Sequence, residues 1–146
     1  MTEIAFHFNV PDKLAYGCRL LRKAYLSGAT VAVIAEPEVL AELDALLWSF
    51  SATEFVPHCT GAASPGTLAA TPVVLAASPA DCPGRDILVN LGQGVPGGFE
   101  GFERLIEVVS IHPEDVPAGR DRWKHYAARG YTLKRHDLAS RARGAA

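Results

Sequence analysis

Cysteine is scarce in this chain. Cys18, Cys59 and Cys82 are the full set, an odd number with no CxxC pair. A disulfide framework and a tetrahedral zinc site both need more than that. The five histidines, His7, His58, His112, His125 and His136, are too dispersed for a metal motif, so no metal is expected. Long hydrophobic runs are missing too. An apolar run such as Thr30–Ala35 falls far short of the roughly 18 residues a membrane span needs. The opening segment MTEIAFHFNV lacks the basic start and apolar stretch of a signal peptide, which points to a cytoplasmic chain with no membrane association. There is no GxxxxGK[ST] phosphate loop and no nucleophile elbow.

What is present is an ordinary globular composition. The 146 residues are 49% hydrophobic and 21% charged, which excludes global disorder and fits one domain with a real core. The net charge of −2 is unevenly spread. Residues 119–146 hold eight basic residues against Asp121 and Asp137, whereas residues 1–118 hold six basic and fourteen acidic ones. An acidic body with a basic end suggests that the end meets something anionic. A solvated helix face followed by a tail would give the same pattern.

The periodicity predicts an α/β layered fold. Glu3–Asn9 alternates around Ile4, Phe6 and Phe8 as a strand. Pro11-Asp12 opens a helix that Gly28 closes, with Leu14, Cys18, Leu21 and Tyr25 on one face. Val31–Ala35 is apolar on both faces, the mark of a covered parallel sheet. Pro37-Glu38 starts a second helix with Val39, Leu43, Leu46 and Leu47 inward. This β-α-β-α opening implies a mostly parallel sheet flanked by helices. Further along, Phe55–His58 reads as a short strand, Cys59–Pro72 as a loop, and Val73–Ala77 and Asp86–Leu91 as core strands. Phe99, Phe102 and Leu105 have helical spacing before Ile106–Ile111 returns to strand. Pro113–Arg129 reads as the last helix, Tyr131–Leu133 as an edge strand, and residues 134–146 as a basic, flexible tail after a domain of residues 1–133.

Several constellations invite chemistry. Gly92-Gln93-Gly94-Val95-Pro96-Gly97 follows a strand and matches GxGxxG. The alternative reading it offers is a nucleotide-binding enzyme using the Gly92–Gly98 loop. It lies late in the chain, and Pro96 removes an amide from the would-be phosphate cradle. His58-Cys59 lacks the base and orienting group that a nucleophile requires, so no catalytic residue and no cofactor are expected. Leu47-Trp48-Ser49-Phe50 through Glu54-Phe55-Val56-Pro57-His58 gathers aromatics around a helix end. These belong either to the core or to a partner surface. In Gly119–Tyr126, Arg120, Trp123 and Lys124 stand at i, i+3 and i+4, so two cations flank one aromatic ring on a helix face. That fits an anionic group attached to an apolar one, such as a chain-terminal carboxylate beside an aromatic side chain or a nucleotide. It also fits a core Trp with cations snorkelling over it.

Five segments in fixed order carry a resemblance. They are Ser27–Ala35, Leu43-Asp44-x-Leu46-Leu47-Trp48, Glu54–His58, Arg85–Leu91, and Arg120-x-Arg122-Trp123-Lys124-x-Tyr126 with Gly130-Tyr131-x-Leu133. In these the chain resembles the chi subunits of bacterial DNA polymerase III holoenzyme, from the first strand to Leu133. The resemblance implies a Rossmann-like domain without a working nucleotide site and a non-catalytic accessory role in DNA replication. That role bridges the clamp loader, through the small psi subunit, to single-stranded DNA-binding protein, whose acidic C-terminal tail ends in Phe. By the same resemblance the tail pocket falls on Arg120, Trp123 and Lys124, with Trp123 where the family often has Tyr and Val116 where it has a further basic residue. The psi-facing surface falls on Trp48, Phe55, Pro57 and His58. Contact with DNA is then expected to be indirect, because the acidic body repels phosphate.

Overall fold

The computed structural model describes residues 2–49 and 55–139. Strand β1 (Glu3–Val10) leads into helix α1 (Lys13–Leu26), whose N-terminus is capped by Asp12 accepting from the Ala15 amide. Strand β2 (Val31–Ile34), helix α2 (Pro37–Ser49), strand β3 (His58–Thr60), helix α3 (Pro65–Ala70) and strand β4 (Val73–Ala76) follow. Strand β5 (Ile87–Asn90), strand β6 (Arg104–Ser110), helix α4 (Asp115–Ala128) and strand β7 (Leu133–Asp137) complete the order.

The seven strands form one sheet in the order β3-β4-β2-β5-β6-β1-β7, and every pairing is parallel. β2, β4 and β5 are buried along their whole length, as expected of parallel strands covered on both faces. One apolar layer packs Cys18, Leu21, Leu43 and Leu47 of α1 and α2 on the sheet. The other packs Phe99, Phe102 and Tyr126 on the opposite face, where α4 lies. The α/β architecture read from the sequence is the observed one.

Several local expectations change. Cys59–Pro72 is not all loop: Ser64 caps a short helix there by accepting from the Thr67 amide, with Pro65 at its first position. The short strand predicted at Phe55–His58 lies at His58–Thr60, at the sheet edge, where pairing with Val73–Leu75 is available. The helical spacing of Phe99, Phe102 and Leu105 produces no helix. A 3-10 turn at Phe99–Gly101, entered through Gly98 at φ +88°, is all that precedes β6. Phe99 and Phe102 nonetheless reach the core from that turn. Leu46 is 39% exposed rather than inward. The last strand lies at Leu133–Asp137, not Tyr131–Leu133, and pairs with β1. The domain boundary drawn at 134 therefore cuts through β7, and residues 134–137 belong to the sheet. Of the tail, residues 140–146 lie outside the described residues, as do Phe50 and Glu54 of the aromatic stretch.

Candidate functional site

α4 is set by a buried polar network. Arg122, 2% exposed, places its Nε 2.8 Å from Glu107 Oε1 on β6, and Glu107 is fully buried. The Tyr126 hydroxyl donates to Glu107 Oε2 at 2.5 Å, and Asn90 Nδ2 donates to both carboxylate oxygens at 3.0 and 3.1 Å. Burial pushes the Glu107 carboxyl above its ordinary range, against the pull of Arg122, Tyr126 and Asn90. Arg122 Nη1 also donates to the Gln93 carbonyl at 2.7 Å. Gln93 Nε2 donates in turn to Asp115 at the start of α4. Burial works to raise Asp115, but the Ser110 amide and Lys13 outweigh it and hold that carboxyl below its ordinary range.

With that side anchored, the adjoining stripe Val116, Gly119, Arg120 and Trp123 faces β1 and β6. Gly119 is required here. A Cβ at that position would sit 2.8 Å from a methyl of Val109, so only glycine lets α4 approach β6 this closely. The result is a cavity of about 440 Å³ between α4, β1 and β7. Phe6, Phe8 and Val109 supply apolar lining, and Trp123 meets Phe6 edge to face at 5.1 Å. Arg120 stands at the rim and is exposed. Lys124, one residue further round the helix, is exposed and does not line the cavity.

A second cation comes from elsewhere. Arg135 of β7 lines the cavity, its guanidinium 5.1 Å from the Phe8 ring centre and 6.0 Å from that of Trp123. Sequence reasoning misses it, because residues 134–146 read as tail. The signal that marks it is position: register with Phe6 on β1 turns Arg135 to the α4 face of the sheet.

The second predicted surface is far simpler. Trp48, 64% exposed, and Phe55, 40% exposed, pack against each other with ring centres 5.1 Å apart and planes tilted by 35° at the end of α2. His58 is buried beneath them, 5.2 Å from Trp48 and 5.8 Å from Phe55. Its Nδ1 donates to the Val56 carbonyl at 2.7 Å, and its Nε2 lies 3.1 Å from Asp44 Oδ1. Pro57 is half-buried. His58 thus lies under the aromatic pair with its side chain buried.

The Gly92–Gly98 loop borders a cavity of about 310 Å³ beyond the carboxyl ends of β2, β4 and β5. This is where doubly wound folds bind nucleotides, but the local chemistry is unsuited to phosphate. Glu36 lines the cavity beside Pro37, and Glu38 opens α2. The Gly92 amide already donates to Asn90 Oδ1 at 2.9 Å. The loop leads into a single 3-10 turn, so it offers no helix N-terminus for an anion.

Comparison with known proteins adds a consistent result. Residues 1–134 match the family model described as DNA polymerase III chi subunit, HolC. The DNA polymerase III subunit chi of Pseudomonas aeruginosa is 35% identical over 144 residues, covering 94% of this chain and 98% of that protein. The subunits chi of Haemophilus influenzae and Escherichia coli are 28% and 29% identical, covering 83% and 80% of this chain and 84% and 79% of theirs.

Proposed function

The chain belongs to the DNA polymerase III chi subunit family, and on that footing we propose that it is a non-catalytic bridge between the replisome and coated single-stranded DNA. The α4–β1–β7 cavity carries this reading. It joins an aromatic-lined slot to two arginines, the chemistry that a chain-terminal carboxylate next to a Phe side chain requires. In this reading the acidic tail of single-stranded DNA-binding protein inserts its last residue. The Phe ring enters beside Trp123, Phe6 and Phe8. The terminal carboxylate pairs with Arg120, and Arg135 serves as the second cation in place of Lys124, which stands outside the lining and meets the tail's upstream acids. Val116 adds an apolar wall.

The exposed Trp48–Phe55 pair serves the other end of the bridge as the surface for a psi-type partner of the clamp loader. Pro57 stiffens its edge and His58 sets it from below. Two large, exposed, mutually packed rings at a helix end are the kind of anchor around which interfaces concentrate their energy.

A double-mutant cycle with a peptide tests the pocket. A charge-assisted hydrogen bond to a carboxylate is worth about 1.5–3 kcal/mol. Arg120→Ala should therefore weaken an acidic, Phe-ending peptide roughly 10- to 100-fold. Amidating the peptide's C-terminus should cost a similar factor, and the two losses should not add. Fully additive losses would show that Arg120 does not hold the terminal carboxylate. The same cycle with Arg135→Ala then assigns the role within the pocket.

A further inference from the structure

The far side of β1 and β7 holds a second cationic concavity. Strand alternation turns His7 and His136 away from the Phe8–Arg135 face, and the two rings lie against each other, tilted by 49°, with centres 4.6 Å apart. Between them and α1 lies a cleft of about 380 Å³. Leu20 and Ile106 give it an apolar floor, Tyr16 joins the imidazole wall, and Arg19, Lys23 and Arg104 converge on it. Among the described residues, no Asp or Glu lines it.

Basic residues are concentrated on α1. α1 carries Lys13, Arg19, Arg22 and Lys23 and no acidic residue, although the first 118 residues are strongly acidic as a whole. Those four and Arg104 are five of the six basic residues in that stretch. Among the described residues the Lys and Arg ion pairs are Lys13–Asp115 and Arg122–Glu107, so Arg19, Lys23 and Arg104 have no acidic partner there. Glu3 stands in register with Arg104 across β1 and β6, yet no ion pair joins them. Arg19 and Lys23, one turn apart, repel each other and cost the helix stability. The dipole at the end of α1 explains a cation at Lys23. It does not explain Arg104 arriving from a different strand, or the ring wall opposite.

We propose that this cleft, formed by Arg19, Lys23 and Arg104 around Tyr16 and His136, is a direct contact site for the backbone of single-stranded nucleic acid. Cations without an acidic partner would track phosphates, and the exposed His136 ring offers a stacking face that tolerates any base, while the Tyr16 ring, 6.0 Å from the Arg19 guanidinium, holds that cation at the cleft. The ring wall favours a nucleic acid over an acidic peptide, for which cations alone would suffice. The site is independent of the tail pocket, which lies on the other face of the sheet. It also replaces the expectation that contact with DNA is only indirect, since the acidic body presents one cationic face.

The test uses the full chain and a short fluorescent oligothymidine, with anisotropy read across a salt series. Non-specific binding with a Kd of order 10⁻⁴ to 10⁻⁶ M is expected. Arg19→Ala/Lys23→Ala/Arg104→Ala should weaken it about 10-fold or more. The same variant should lower the slope of log K on log salt by roughly 2, about 0.7 for each phosphate no longer neutralised. His136→Ala should weaken it about 5-fold with little change in slope. Arg120→Ala should leave it unchanged. Circular dichroism checks that each variant is folded, and Arg19→Lys/Arg104→Lys, which keeps the charges, should retain most of the binding. Absence of wild-type binding at low salt overturns the proposal, as does a triple variant that binds like wild type. Capture of a polyglutamate peptide in preference to the oligothymidine overturns it in favour of an acidic protein partner.

Discussion

Arg122 and Glu107 remove two opposite charges from water, and the surrounding hydrogen bonds offset only part of that cost. A buried pair of this kind adds little net stability, but losing one partner leaves an uncompensated charge. Arg122→Ala should cost about 3–5 kcal/mol in urea denaturation. Replacing both residues with apolar ones of similar volume should come much closer to wild type. The pH dependence follows from the raised Glu107 carboxyl. A group whose folded value lies above its unfolded one contributes stability that is complete below the unfolded value, near 4.5, and is lost as pH rises through the folded value. With Arg122 gone, that folded value moves higher still. The deficit of Arg122→Ala should therefore be largest at neutral pH and shrink on acidification. A deficit independent of pH would show that Glu107 is not the group left stranded.

Among the elements, the end of α2 separates core from surface within one turn. Leu43 and Leu47 are buried, at 0 and 1% exposure, while Trp48 projects outward against Phe55. Leu47→Ala should cost about 2–5 kcal/mol of folding stability. Trp48→Ala should cost about 0.5 kcal/mol or less yet weaken association with a psi-type partner by about 2 kcal/mol or more. Denaturation and partner titration of both variants check this, and a large stability loss in Trp48→Ala would remove Trp48 from the interface. β7 shows the converse coupling. Its mostly exposed residues read as tail, yet pairing with β1 delivers Arg135 to one face of the sheet and His136 to the other. One edge strand thereby serves both cationic sites.

For the molecule as a unit, the arrangement of charge matters more than its sum. A net of −2 conceals a cationic cleft over α1, an arginine-rimmed pocket beside α4, and a glutamate, Glu36, where a nucleotide phosphate would sit. The bridge reading and the nucleotide-enzyme reading then differ in a melting experiment. A ligand at 100 times its Kd adds about 2.7 kcal/mol. In a domain of this size that raises Tm by about 5–10 °C. The acidic, Phe-ending peptide should produce such a shift. Mononucleotides and dinucleotides should not, and a shift of that size from one of them would restore the Gly92–Gly98 loop as a binding site.

The layered α/β class was legible in the sequence alone, because strands buried on both faces must be continuously apolar and the helices between them must show a 3.6-residue stripe. Val31–Ile34 and Leu14–Cys18–Leu21 satisfy both demands locally. Local spacing also places Arg120 and Trp123 on one helical face, since geometry within a helix needs no distant partner. The second cation of the pocket was not legible. Arg135 lies fifteen residues beyond Arg120 in the chain, and only pairing of β7 with β1 brings it over Phe8 and Trp123. For the same reason Lys124 looks equivalent to Arg120 on a helical wheel. Which of two neighbouring cations faces the cavity depends on how α4 is rotated against β6, and that rotation is fixed by Gly119 against Val109 and Arg122 against Glu107. These interactions join residues distant in sequence, and no local pattern encodes them.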